Sequence, residues 1–326
     1  MKKIRWGIVG PGEIANKFAK AIKNVDCAEL VAVASRTEEN GKAFADKYDI
    51  PMVFCGYEKM AESEEVDAVY ISTPHPFHKS CAEIFLNAKK HVLCEKPICV
   101  NAQQAIKLKE CANINNVFLM EAMWTRFLSA INEVCSVIKS GKIGEVKEIT
   151  ADFCYSSTPE IEAKLFKKEM AGGSLLDVGV YGLHFVSLIL GDNPEKITSF
   201  CQVKDGVDLR TNIFMQYKND VVANISSAIT LDKPASAYIY GTKGYIYLPR
   251  FYGSNDFYIN TDGNEIHIEK PSIGDGFEEE IYEACKCIDE GKRESEILPL
   301  SKSISILKIM DEIRKNNNVK YPLECE

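Results

Sequence analysis

The chain has 326 residues, of which 46% are hydrophobic, and it carries a formal net charge of −8 at pH 7. This length and apolar content suffice for two packed cores, so two domains are expected. The acidic balance argues against nucleic acid as a partner, because a surface that binds phosphates needs positive charge.

Short apolar runs alternate with amphipathic segments in the first 120 residues. The runs read, in chain order, IRWGIV, ELVAVAS, DAVYIS, HVLC and VFLM. Such alternation predicts a parallel sheet with crossover helices. A helix from about Thr125 to Lys139, closed by Gly141, is predicted next, and we place the domain boundary near residue 122.

The apolar pattern then changes to a period of two residues, as in EVKEITADF, TNIFMQY, VVANISSAI and AYIYG. This predicts a mostly antiparallel sheet in the second domain, followed by helices at about 276–290 and 301–315. We expect the two domains to cover residues 1–122 and 123–326. Turn signals separate several of the strands: Asp205-Gly206, Asn219-Asp220 and Asp262-Gly263.

A glycine-rich turn follows the first predicted strand. Gly10, Gly12 and Ala15 form a G-x-G-x-x-A fingerprint between that strand and a helix starting near Glu13. Its place in a strand-helix-strand unit indicates a Rossmann domain whose backbone amides hold the pyrophosphate of a dinucleotide. The alternative is an ordinary tight turn. The expected cofactor contacts here are Gly10, Pro11, Gly12, Glu13 and Ile14.

The second predicted strand ends in Ser35-Arg36-Thr37, where a chain that binds NAD usually offers Asp or Glu to the ribose 2′-hydroxyl. An arginine fork suits a 2′-phosphate, so Ser35 and Arg36 predict a preference for NADP(H) over NAD(H). Two acidic residues, Glu38 and Glu39, follow closely and would repel that phosphate. The alternative is an exposed loop arginine.

The strand AVYIS leads into residues 73–78, which read Thr-Pro-His-Pro-Phe-His. The prolines predict an extended chain across the top of the sheet, lining the nicotinamide with Thr73, Pro74, His75 and His78. Hydrogen bonding around a helix start is the alternative for His78. No metal site is predicted here, because His75, His78 and Cys81 lack a second cluster to complete a tetrahedral set.

The strand HVLC ends in Glu95-Lys96-Pro97. A lysine between a strand end and a proline is fixed where a substrate would lie, and Glu95 is a further candidate cofactor contact. Pro97 excludes helical geometry at Lys96, and the bond between them is a candidate for the cis isomer. A solvated surface lysine is the alternative.

In the second domain, residues 172–184 predict a loop, an N-cap at Ser174 and a strongly apolar helix. Asp177, Tyr181 and His184 fall on one helical face, which predicts a buried polar stripe; the alternative is a stripe that faces water. Two glycines on this helix, at positions 179 and 182, suggest a close approach by another element. Charged and polar groups inside the most apolar window, residues 174–190, favour a buried helix over a membrane span.

Twelve cysteines are scattered through predicted core segments, which in a chain of this size indicates reduced thiols in the cytoplasm. Cys285 and Cys287 are closely spaced but point to different faces of a predicted helix, so they do not predict a metal site. The apolar stretch near the start is interrupted at Gly10 and Pro11, so no signal peptide is expected.

Three of these motifs together resemble the glucose-fructose oxidoreductase, inositol dehydrogenase and MocA superfamily, over essentially the whole chain. They are GIVGPGEIA, the Glu95-Lys96-Pro97 triplet and the glycine-led D-x-G-x-Y helix that contains Tyr181. MEAMWTRF at residues 120–127 and the tyrosine at 181 are most similar to the branch of dimeric dihydrodiol dehydrogenases and NADP-dependent D-xylose dehydrogenases. Many other members have histidine at that position.

The resemblance implies an α/β fold: a Rossmann domain followed by an α+β domain with an open, mostly antiparallel sheet. It implies an NAD(P)-dependent oxidoreductase that transfers hydride to or from a carbohydrate, polyol or trans-dihydrodiol. Lys96 and Tyr181 are the implied proton-transfer pair, with Asp177 beside the substrate. A homodimer or homotetramer through the outer face of the sheet is also implied.

Three residues are weaker candidates for the substrate pocket: Trp124, Arg126 and His184. For Trp124 and Arg126, packing within an interdomain helix is an equal alternative. Two other functions remain open. One is an NADP(H)-binding sensor without turnover, and the other is a lyase or hydrolase that uses transient oxidation.

Overall fold

The computed structural model describes residues 3–322, which divide into two compact units. The first contains residues 3–124 and Ile273–Ile304, and the second contains Thr125–Ser272 and residues 305–322. The first division lies close to the boundary predicted near residue 122. Residues 273–304 depart from the prediction, because they belong to the first unit.

The first unit is built on a six-stranded parallel sheet with the order β3-β2-β1-β4-β5-β6. The strand order reverses between β1 and β4, which is where ligands bind in open α/β sheets. The elements are β1 Ile4–Val9, α1 Glu13–Ala21, β2 Ala28–Ser35, α2 Glu38–Tyr48, β3 Met52–Cys55, α3 Tyr57–Ala61, β4 Ala68–Ile71, α4 His78–Asn87, β5 His91–Glu95, α5 Ala102–Asn115 and β6 Leu119–Ala122.

The predicted parallel sheet is confirmed, and each of the five apolar runs forms a strand. The five predicted runs do not include β3, which is an edge strand of the sheet and is only partly buried.

The second unit is built on an eight-stranded sheet with the order β14-β13-β12-β11-β7-β10-β9-β8. Neighbouring strands are antiparallel except β7 and β10, so the mostly antiparallel prediction is confirmed. The remaining elements of the chain are α6 Ser129–Lys139, β7 Val146–Cys154, α7 Val180–Leu190, β8 Lys196–Lys204, β9 Val207–Gln216, β10 Val222–Ala228, β11 Ala237–Gly241, β12 Gly244–Leu248, β13 Asp256–Thr261, β14 Asn264–Glu269, α8 Phe277–Asp289 and α9 Leu300–Asn316.

Helix α8 returns to the first unit because its side chains pack there. The Phe277 ring stacks on Trp124 at 5.2 Å between centroids. Asn24 donates a hydrogen bond from Nδ2 to Glu278 Oε1 at 2.9 Å. These partners lie far apart in sequence, so the periodicity that predicted the helix could not assign it to a domain.

Helix α7 packs on the inner face of the eight-stranded sheet. A Cβ at Gly182 would lie 2.6 Å from Ile225 Cγ2, and one at Gly179 would lie 3.0 Å from Ser227 Oγ. The close approach expected at both glycines is therefore confirmed, and the approaching element is β10. The segment Lys168–Leu190 is long and apolar enough to cross a bilayer, but most of it is buried in the fold, as is usual for a core helix.

Candidate active site

The turn after β1 is shaped for close backbone approach. Gly10 has a φ of 85°, and a Cβ there would lie 3.0 Å from Thr73 Cγ2 and 3.3 Å from Thr73 N. Ser72 donates from Oγ to the Gly10 carbonyl at 2.9 Å, which ties the turn to the end of β4. Gly12 is the N-cap of α1 and carries no side chain to cap its amides. This arrangement fits a dinucleotide pyrophosphate.

At the end of β2, Ser35 is buried and Arg36 is exposed. Thr37 caps α2, since its hydroxyl accepts a hydrogen bond from Asn40 N at 3.4 Å. Glu38 is paired with Lys42 at 2.6 Å, so its charge is offset within its own helix. The repulsion that Glu38 would exert on a phosphate at Arg36 is thereby reduced.

The segment after β4 does not run extended as predicted. Pro74 is extended, but His75–Phe77 form a 3₁₀ turn that leads directly into α4. Pro76 lies in the first positions of this turn, where its fixed φ is suitable and its missing N–H is not needed. The prolines therefore begin a helix here, and the extended shelf was wrong for residues 75–77.

His78 has a structural role in this turn. It is fully buried, with Nδ1 2.8 Å from the Pro97 carbonyl oxygen and Nε2 2.7 Å from the Thr73 carbonyl oxygen. Burial lowers the pKa of the ring. The imidazole thus joins the end of β4 to the loop after β5. This supports the alternative of hydrogen bonding at a helix start, and the contact of His78 with the cofactor stays a prediction.

The end of β5 holds a lysine with a defined backbone. The Lys96–Pro97 peptide bond is cis. Glu95 is buried and accepts hydrogen bonds from the Tyr70 hydroxyl and from Lys96 N, the latter at 3.1 Å. Burial raises the pKa of Glu95, and the Lys96 charge opposes this shift. Glu95 therefore fixes the Lys96 backbone, and Lys96 is half-buried instead of fully solvated.

A second buried carboxyl in the first unit is Glu280 on α8. Its side chain is fully buried, and neither oxygen has a hydrogen-bond partner within residues 3–322. Burial raises the pKa of Glu280 well above its usual value, and the charges of Glu95, Glu279 and Glu121 add to the shift. The folded protein therefore favours the protonated form of Glu280 more strongly than the unfolded chain does.

We expect Glu280→Gln to stabilise the protein increasingly as the pH rises. The unfolded chain ionises Glu280 from about pH 4.5, whereas the folded chain keeps the proton to higher pH, so the wild type loses up to about 1.4 kcal/mol of stability per pH unit between the two pKa values. Glutamine removes this dependence. Denaturant unfolding at pH 4.5, 6 and 7.5 measures the difference in the free energy of unfolding between the variant and the wild type. Glu110→Gln, on the exposed side of α5, is the control. A difference from the wild type that stays constant with pH would contradict the assignment.

In the second unit, Ser174 is the N-cap residue as predicted, but its own side chain does not cap the helix. Ser174 has helical dihedral angles and makes no cap hydrogen bond with its own side chain. Asp208 of β9 caps the segment instead, since its Oδ2 accepts from Leu175 N at 2.7 Å and from Ser174 Oγ at 2.9 Å. The capping group comes from a distant strand, which local sequence does not reveal.

Asp177 lies in a π-helical turn, Leu175–Gly179, that precedes α7. The wider turn breaks the 3.6-residue register that placed Asp177 on one face with Tyr181 and His184. Asp177 Oδ2 accepts a hydrogen bond from the Tyr155 hydroxyl at 2.8 Å. Turns of this kind are frequent at functional sites.

Tyr181 is buried in an aromatic cluster. Its ring lies 5.3 Å from Phe153 and 5.9 Å from Tyr252, and those two rings stack on each other at 4.0 Å. Tyr181 is only 8% exposed and His184 only 1%, so the alternative of a stripe facing water is wrong for both.

Sequence reasoning missed Phe153, Tyr155 and Tyr252. A signal existed for the first two, because the period of two in β7 places residues 149, 151, 153 and 155 on one face, and Ile149 on that face is fully buried. No comparable signal marks Tyr252, which lies in a 3₁₀ turn after β12.

Arg126 and His184 support packing within the second unit. Arg126 is buried and donates from Nε to His184 Nδ1 at 3.1 Å and from an amino group to Ser187 Oγ at 3.0 Å. Trp124 stacks on Phe277 in the first unit. These contacts fit the packing alternative for Arg126 and Trp124, and a role for these residues and His184 in the substrate pocket stays a prediction.

Residues 4–123 match the family model described as the GFO/IDH/MocA oxidoreductase family with an NAD-binding Rossmann fold. Residues 131–247 match the C-terminal domain of the same family. The chain belongs to the GFO/IDH/MocA family. It is therefore an oxidoreductase, and the predicted family and fold are confirmed.

Among relatives in this family, the trans-1,2-dihydrobenzene-1,2-diol dehydrogenase of Mus musculus is 34% identical over 331 residues, which is 98% of each chain. The enzyme of the same name from Homo sapiens is 33% identical over 335 residues, again 98% of each chain. The similarity thus extends over both units and is not confined to the nucleotide-binding motif.

Solved structures of the family share the fold. A 3-ketoreductase from Actinomadura kijaniata, in complex with NADP and TDP-benzene, has a TM-score of 0.89 at 23% identity, covering 97% of this chain and 98% of that chain. An aldose-aldose oxidoreductase from Caulobacter crescentus, complexed with glycerol, has a TM-score of 0.89 at 21% identity, with the same coverage.

Proposed function

We propose that the protein transfers hydride between NADP(H) and the CH–OH or C=O group of a sugar, polyol or trans-dihydrodiol. The observation that carries the proposal is Lys96, held by the buried Glu95 at a strand end of an NAD-binding Rossmann fold. The relatives named trans-dihydrodiol dehydrogenases support the diol, and the solved reductase and aldose oxidoreductase support the sugar.

Lys96 and Tyr181 are proposed as the proton-transfer pair. A bound nicotinamide cofactor supplies the hydride acceptor or donor. Tyr181 takes the hydroxyl proton of the substrate at its phenol oxygen, and the Lys96 ammonium stabilises the resulting phenolate. The buried setting of Tyr181 excludes bulk water from the phenol, which strengthens its interaction with any nearby charge.

A substrate panel tests the function. Aldoses, inositols, deoxysugars and trans-1,2-dihydrobenzene-1,2-diol would be assayed with NADP⁺ and NAD⁺ side by side, following absorbance of the reduced cofactor and consumption of the substrate. Cofactor reduction by any of these supports the proposal. A sensor would bind NADPH without turnover, and a lyase or hydrolase would consume substrate with no net change in absorbance.

The preference for NADP(H) is proposed from Arg36. We expect Arg36→Ala to weaken NADPH binding about ten- to hundredfold, because charge-assisted hydrogen bonds to a phosphate are lost, while NADH binding changes little. Fluorescence titration of both nucleotides measures this, with Lys20→Ala as a control for removing one exposed cation. Equal losses for NADPH and NADH would contradict the preference.

The outer face of the eight-stranded sheet supports the proposed homodimer. Strand pairing aligns one row of side chains across all eight strands. Phe214 lies in this row. Phe200 lies in the adjacent row on the same face, where it is 67% exposed and lines a groove of about 490 Å³. An aromatic face of this extent is typical of an interface. The row consists of His267, Tyr258, Tyr247, Tyr238, Thr150, Asn224, Phe214 and Thr198.

We expect Phe200→Glu to convert the dimer to a monomer, because a charge replaces an apolar contact and is repeated on the second copy. Light scattering coupled to size exclusion measures the mass. Ile114→Glu, which changes an 83% exposed residue of the first unit, is the control. A dimer that survives Phe200→Glu, or a monomeric wild type, would contradict this interface.

A cytoplasmic location is also proposed. Its support is that all eleven cysteines among the described residues are free thiols, most of them buried.

A further inference from the structure

Tyr155 is hydrogen-bonded to Asp177, and this contact joins two elements that are distant in the sequence. Its hydroxyl donates to Asp177 Oδ2 at 2.8 Å. We propose that Tyr155 is a positioning residue that holds the Asp177 carboxylate in its working orientation. This inference rests on the role proposed for Asp177 beside the substrate.

The backbone of Tyr155 is fixed by the sheet. Tyr155 is the first residue after β7, and its N–H donates to the Ala228 carbonyl at 3.0 Å. Two residues later, Ser157 N donates to the Ile229 carbonyl at 2.9 Å. The phenol therefore projects from the rigid pairing of β7 with β10, whereas Asp177 lies in a π-helical turn. A rigid donor opposite an irregular turn is suited to orienting an acceptor.

The Tyr155 hydroxyl also remains a donor at every working pH. Burial raises the pKa of Tyr155 far above its ordinary value, and the charge and hydrogen bond of Asp177 raise it further. Glu162, on the loop after β7, also faces the hydroxyl and acts in the same direction. A phenol that does not ionise favours the charged form of the carboxylate that it contacts.

The hydroxyl donates to Asp177, and Glu162 is a second carboxylate near it, so two roles must be separated. If Tyr155 acts through Asp177, its effect belongs to the reaction. If it acts through Glu162, it only holds the loop at residues 156–170. Substitutions of each acid, alone and combined with Tyr155→Phe, distinguish these roles because an effect transmitted through one partner disappears when that partner is removed.

The experiment uses trans-1,2-dihydrobenzene-1,2-diol and D-xylose with NADP⁺, and the variants Tyr155→Phe, Asp177→Asn and Glu162→Gln. We expect Tyr155→Phe to lower kcat/KM about tenfold or more, the size expected for loss of a hydrogen bond to a charged group. The acid limb of the pH profile should move to higher pH. Neither effect should appear in the Asp177→Asn background, and both should persist with Glu162→Gln.

Tyr217→Phe is the matched control, because it removes a buried phenol of the same unit that donates to the Gly191 carbonyl at 3.4 Å. Tyr217→Phe should leave the pH profile of kcat/KM unchanged. The inference would be overturned if Tyr155→Phe left the pH profile unchanged. It would also be overturned if Tyr155→Phe lowered kcat/KM by the same factor in the Asp177→Asn background.

Failure of the proposed function can be distinguished from failure of the inference about Tyr155. Normal turnover by Asp177→Asn, or no turnover of either substrate by the wild type, would remove the role of Asp177. The hydrogen bond is then tested by thermal unfolding of the two single variants and the double variant. Strictly additive shifts of the unfolding midpoint would show that the side chains do not interact, and overturn the inference as well.

Discussion

Lys96→Met is expected to lower kcat about a hundredfold or more at saturating cofactor and substrate. Methionine keeps the length and apolar stem of lysine but removes the ammonium, so the proposed phenolate of Tyr181 loses its stabilising charge. The contribution of positioned acid-base groups is typically about 10²- to 10⁴-fold, which sets the expected range. Steady-state kinetics with NADP⁺ and the best substrate of the panel measure the loss.

Lys109→Met is the matched control for this result. Lys109 lies on α5 in the same unit and pairs with Glu294 at 3.4 Å, so the variant removes one ammonium at a site with no proposed chemistry. It should keep wild-type kcat. Near-normal turnover by Lys96→Met would contradict the assignment of Lys96.

Tyr181→Phe is expected to lower kcat by a similar factor, about a hundredfold or more, with a smaller change in KM. Phenylalanine retains the ring that packs against Phe153 and Tyr252, so the aromatic cluster should persist while the proton acceptor is lost. The drop should therefore appear in kcat and not in stability. Kinetics and thermal unfolding of the same preparation separate the two effects.

Tyr217→Phe serves as the control for Tyr181→Phe as well, since it removes a phenol at a site with no proposed chemistry. The double variant Lys96→Met/Tyr181→Phe adds a stringent test. Groups that act as one unit are non-additive, so the double variant should lose little more activity than either single variant. If the loss of activity in the double variant equalled the product of the two single losses, the two residues would act independently.

The motifs of the first unit were predictable because they are local. A strand, a glycine turn and a helix are consecutive in sequence, so Gly10 and Gly12 could be identified from spacing alone. The same applies to Lys96, which is placed by the strand before it and the proline after it. The error at residues 75–77 arose because Pro-rich segments suit both an extended chain and the first turn of a helix.

The surroundings of the predicted residues in the second unit were not predictable in the same way. Asp177 and Tyr181 were identified from their helix, but the π-helical turn between them was not, and the Asp208 carboxylate that caps this turn lies about thirty residues away. His184 looked similar to them in the sequence, yet its partner is the buried Arg126.

The sequence by itself determined the parallel sheet, the nucleotide-binding turn, the family and the candidate pair Lys96 and Tyr181, because each depends on periodicity or on residues close together in the chain. Only the tertiary structure decided that α8 belongs to the first unit, that His78 and Arg126 make buried hydrogen bonds, and that Tyr155 contacts Asp177. The physical reason is the same in each case. Hydrogen bonds and ring contacts between distant residues form only when the folded chain brings their elements together, and no local pattern in the sequence records that placement.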